Sequence, residues 1–138
     1  MSAPPIPPRA NQQMNTSLRN LNRQANNLHA AGTNMSNASK QLANGNIGAA
    51  NKNAVGATNK LQQTANSLRE EAARLNNAAR TVTNKNIQNR LNAAARQANL
   101  GAQAAVKASV ANALAHISKA AQEIAKTAGA AQPNARAA

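Results

Sequence analysis

The chain has no Cys, no Asp, no Phe, no Tyr and no Trp among its 138 residues. Without Cys there is no disulfide and no thiolate metal site. Without aromatics there are no stacking platforms of the kind on which single-strand binders and RNA-recognition sheets seat bases. Acids are nearly missing too. Glu70, Glu71 and Glu123 stand against 16 Lys and Arg, for a formal charge of +13. No apolar run approaches the roughly 18 residues of a membrane span. The opening Met1-Ser2-Ala3-Pro4-Pro5-Ile6-Pro7-Pro8-Arg9 lacks the apolar centre of a signal peptide, so the chain reads as soluble and unprocessed.

These gaps leave little for catalysis. His29 and His116 have no carboxylate near them in sequence. Glu70 and Glu71 are adjacent, so on a helix they point about 100° apart. Too few ligands exist for a metal site, and there is no Gly-rich phosphate loop. The expectation is a protein that is not an enzyme and holds no cofactor and no metal.

What is present is alanine and amide. The 42% apolar content is mostly Ala, with Leu, Ile, Val and Met numbering 22 together. Few large apolar residues and a high net charge usually signal disorder. Ala alters that reading, because it is the best helix former. It buries little area, however, at roughly 25 cal/mol per Å². Helices that form readily over a thin core are expected, completed by packing against other subunits or by a partner.

The period of the apolar residues is helical throughout, and nothing alternates with period two. Met14, Leu18, Leu21, Ala25 and Leu28 form one stripe. Leu61, Ala65, Leu68, Ala72, Leu75, Ala79 and Val82 form a cleaner one. A third runs Ile87, Leu91, Ala94 and Ala98, then drifts through Val106, Val110, Leu114, Ile117, Ala121, Ile124 and Ala128. Gly101 is expected to kink it, and Glu70 and Arg74 are placed to pair at i,i+4. The expected class is all-α, with two or three long Ala-rich helices after an extended proline-rich arm at residues 1–10. One helical domain covers 11–129, with breaks near 44–48 and 81–85. Gly129 and Pro133 are stop signals, and 130–138 is expected to be a flexible tail.

The cations are spread singly. Arg74, Lys85, Arg96 and Lys107 follow one another at intervals of 11 residues. Eleven residues are close to three helical turns, so these four share a face and climb roughly 16 Å per step. Arg69 and Arg80 repeat the interval, and no acid interrupts the stripe. Ordinary solvated helices mix both signs. The 23 Asn residues add groups that bond phosphate and sugar oxygens whatever the base sequence. The candidate nucleic-acid-binding residues are Arg9, Arg19, Arg23, Arg69, Arg74, Arg80, Lys85, Arg90, Arg96 and Lys107. A net charge of +13 neutralises the phosphates of roughly six or seven base pairs.

The proline-rich arm, the Ala/Asn/Gln-rich helices without Cys and the acid-poor stripe together resemble the coat proteins of filamentous double-stranded DNA viruses of archaea. That resemblance implies a small, basic, helical subunit that assembles as a dimer and wraps DNA in the A-form. The leading expectation is therefore a structural virion coat protein. It would bind double-stranded nucleic acid, DNA first, without sequence preference, as a homo- or hetero-oligomer with a similar helical subunit. A cytoplasmic, nucleoid-associated packaging protein is the variant of this reading. A helical scaffold of phage tail or ejection type, meeting an acidic protein, is the rival. An interfacial membrane helix is disfavoured by the lack of Trp and Phe anchors.

Overall fold

A computed structural model describes residues 6–137 of the chain, and their side chains as far as Thr127. Four helices follow one another: α1 Pro8–Ala43, α2 Ile47–Arg80, α3 Lys85–Val106 and α4 Val110–Ala137. Among the described residues there is no strand. The chain is thus all-α, with four helices where two or three were expected. α1 packs on α2, α2 on α3 and α3 on α4, and α4 returns more sparsely to α1. Three- and four-residue connections force each helix antiparallel to the last. The result is an up-and-down four-helix bundle.

The first helix begins earlier than the prolines suggest. Pro7 is extended, at φ −52° and ψ 142°, and Pro8 is the first helical residue. Pro suits that position because the N–H it lacks has no intrahelical acceptor there. Ile6 rests against the bundle's own core, so the expected arm of residues 1–10 is shorter by its last three residues. Residues 1–5 lie outside the described residues. At the other end the helical backbone passes Gly129 and Pro133 and reaches Ala137. Ala128, Ala130 and Ala131 around Gly129 favour that continuation, where a tail was expected from 130 on.

The turns are built alike at two of three places. After α1, the Gly45 N–H bonds Leu42 O at 3.0 Å and the Asn46 N–H bonds Gln41 O at 2.8 Å. After α3, the Ala108 N–H bonds Ala105 O at 3.0 Å and the Ser109 N–H bonds Ala104 O at 2.9 Å. Both are Schellman closures, which need a left-handed residue at the pivot. Gly45 takes it at φ 81°, and Ala108 takes it at φ 61°. The α2–α3 turn ends instead in a side-chain cap, with Asn84 Oδ1 accepting from the Ile87 N–H at 3.2 Å. Helix α3 runs without a break through Gly101. A Cβ there would meet Leu68 Cδ1 at 3.4 Å, His116 Cβ at 3.5 Å and Ala113 O at 3.6 Å. It lies where α2, α3 and α4 meet.

The core closes within one chain. Met14, Leu21 and Leu28 of α1 meet Leu61, Leu68 and Leu75 of α2, Leu91 of α3, and Ile117 and Ile124 of α4. Between them Ala65, Ala72, Ala94, Ala98, Ala105, Ala113 and Ala120 let the helices approach closely. The stripe from Leu61 to Val82 packs as its period implies, and all seven of its residues are buried, six on α2 and Val82 in the turn after it. On α1 the seam is rotated. Ser17 and Gln24 are buried, while Leu18 and Ala25 are half-buried. The drift beyond Ala98 is resolved by alanine, with Ala102 and Ala105 buried and Val106 58% exposed.

Candidate nucleic-acid interface

The turn at 81–84 divides the 11-residue series. Arg74 stands on α2, and Lys85, Arg96 and the cap residue Lys107 stand on and beside α3. On α3, Lys85 and Lys107 fall within about 20° of Arg96, and the buried Ile87 and Ala105 lie about 180° away. All three cations are exposed. The series therefore holds on α3, over about 33 Å from Lys85 to Lys107.

Arg74 turns elsewhere. It pairs with the carboxylate of Glu71, a residue only 2% exposed. The same carboxylate accepts from Ser17 Oγ at 3.0 Å and from Asn20 Nδ2 at 2.8 Å, both on α1. Arg74 is thus half-buried at the α1–α2 junction and is committed to a buried acid. The partner expected for it, Glu70, is exposed. Glu71 wins because its carboxylate points into the bundle, where an unpaired charge is expensive.

Arg80 and Arg96 instead line neighbouring stretches of one α2–α3 surface. Two grooves run between α2 and α3. One, of about 310 Å³, is lined by Asn76, Ala79, Arg80, Gln88 and Asn92. The other, of about 360 Å³, adds Arg96, Asn99 and Gln103. Asn76 and Asn92 border both, so the two form one trough. Arg69 lies about 20° from Asn76 on α2, on the same flank. Glu70 lies about 120° from Asn76, Glu123 pairs with Lys126 at 3.7 Å, and α3 has no acid. The trough is cationic, amide-lined and free of carboxylates.

The remaining candidates scatter. Arg9, Arg19 and Arg23 are exposed along α1, with Arg19 Nη2 donating to Thr16 Oγ1 at 3.4 Å. Arg90 is half-buried and about 120° from Arg96 around α3. On the trough side, Arg69 Nη1 donates to Asn66 Oδ1 at 3.1 Å and Arg80 Nη1 to Asn77 Oδ1 at 3.4 Å. These exposed amide contacts hold the guanidiniums loosely and leave their other donors to solvent. Sequence reasoning missed the trough's amides. Gln88, Asn92, Arg96, Asn99 and Gln103 are spaced 4, 4, 3 and 4, a polar stripe at helical period.

No known family model, no curated protein and no solved structure matches this chain.

Proposed function

We propose that the chain is a structural, non-enzymatic protein that binds double-stranded nucleic acid, DNA first, without sequence preference, as a repeating coat or packaging subunit of a virion. The observation that carries this reading is the acid-free α2–α3 face. Arg80 and Arg96 line its trough and helix angle puts Arg69, Lys85 and Lys107 on the same flank, beside amides that bond phosphate and sugar oxygens. A line drawn along a B-form duplex returns to the same backbone once per turn of about 34–36 Å. The cations of α3 recur every 16 Å or so. Lys85 and Lys107, about 33 Å apart, would thus reach the same backbone one turn apart on a straight duplex.

The test is a salt titration of the purified chain against two duplexes of unrelated sequence. Equal affinities are expected, falling linearly in log–log form with a slope of several units. A flat salt dependence refutes the reading. Equal binding to an acidic polypeptide such as polyglutamate turns it into the scaffold with an acidic protein partner.

A further inference from the structure

The core seam of α1 and α2 does not stop where α3 and α4 stop. Val110, the first residue of α4, lies beside Gly32, where an added Cβ would meet its Cγ1 at 3.9 Å. Past that level residues 33–43 and 47–57 continue as a two-helix overhang about 16 Å long. On α1 the buried Leu28 and Ala31 lead at helical spacing to Met35, Ala38 and Leu42. On α2 the buried Leu61 and Ala57 lead back to Ala54, Ala50 and Ile47. Within the bundle these stripes are covered by α3 and α4. In the overhang Met35 is 37%, Leu42 63% and Ile47 70% exposed, and Ala50 is the one buried residue between 33 and 56. Ala38, Leu42, Ile47, Ala50 and Ala54 line a single apolar groove of about 320 Å³.

We propose that this groove is where two copies of the chain meet, overhang on overhang, about a twofold axis. The groove continues the interface that α3 and α4 already occupy, so a pair of helices with a narrow apolar seam would fit it as those two fit the rest. The same overhang on a second copy is such a pair, of matching length, and a surface that packs on itself closes into a dimer. Two 11-residue helices side by side bury of order 1,000 Å² in total, the lower bound for a specific interface. The dimer is therefore weak in dilute solution and strengthened when both copies share one polyanion. Lys40 and Lys52 lie on the outer side, more than 90° from the seam. Each copy is strongly cationic, so added salt favours the pair. That sign is opposite to nucleic-acid binding, so this inference stands or falls apart from the preceding one.

The test is sedimentation of the full chain, free of nucleic acid, at low and high salt and read by interference optics. A concentration-dependent dimer that tightens with salt is expected. The double variant Leu42→Ser/Ile47→Ser should lose at least ten-fold in association with unchanged helix content. Ala38→Cys, at the middle of the overhang, should be joined by a short bismaleimide much faster than Gln122→Cys on α4. A wild-type chain that stays monomeric at both salts overturns the proposal. So does a dimer that survives the double substitution. Loss of binding to duplex or to anionic vesicles in that variant, with the wild type monomeric, would give the seam to that other partner and refute the dimer.

Discussion

Ser17 and Glu71, 54 residues apart, are joined by a 3.0 Å hydrogen bond inside the bundle. It ties α1 to α2 in register, and Asn20 and Arg74 complete the carboxylate's partners. Replacing Glu71 by Ala strands the Ser17 and Asn20 donors in a buried site and frees Arg74. The expected loss is about 2–3 kcal/mol, read by urea unfolding followed by circular dichroism. Glu71→Gln, which keeps an acceptor for Ser17, should lose about half as much.

Arg74 separates structure from binding. Arg74→Ala should lower the unfolding midpoint, because it leaves a buried carboxylate unpaired. It should change duplex affinity far less than Arg96→Ala, which should leave the midpoint unmoved. Paired melting and binding curves for the two variants check this. An Arg74→Ala protein that is fully stable but fails to bind would place Arg74 in the interface after all.

The pivots of the two Schellman turns give an internal comparison. Ala108 holds φ 61° where Gly45 holds φ 81°. A left-handed Ala costs about 1–2 kcal/mol that Gly avoids, partly offset by the greater freedom of Gly in the unfolded chain. Ala108→Gly should stabilise the fold by about 0.5–1 kcal/mol, and Gly45→Ala should destabilise it by a similar amount. Thermal melts of the two variants should move in opposite directions.

The same pivot explains what could be read from sequence. The seam from Leu61 to Val82 was legible because its apolar period is unbroken and every member is buried. The turn after α1 was legible through Asn44-Gly45-Asn46. The turn after α3 was not, because its pivot is an Ala in an Ala-rich segment. On α1, Ser17 and Gln24 lie buried on the core face, and no apolar count reveals polar residues there. The cation series was legible on α3, where one helix carries it. It misled at Arg74, because the interval from 74 to 85 spans a turn and periodicity has no meaning across one.

Gly101 tests the packing directly. Its place beside Leu68, His116 and Ala113 leaves room for little beyond a methyl group. Gly101→Leu should overpack the junction of α2, α3 and α4 and lose about 1–3 kcal/mol. A neutral outcome in urea unfolding would mean that the three helices do not meet there.

The central claim is that the α2–α3 face, rather than net charge alone, holds nucleic acid. Its most direct test compares two triple variants of equal charge. One neutralises Arg80, Lys85 and Arg96 to Gln, and the other neutralises Arg9, Arg19 and Lys119. The slope of log affinity against log salt should fall by about 2.7 for the first set, at roughly 0.9 per phosphate contact, and little for the second. Equal changes in the two variants would contradict the claim and leave only diffuse attraction of a basic chain to a polyanion.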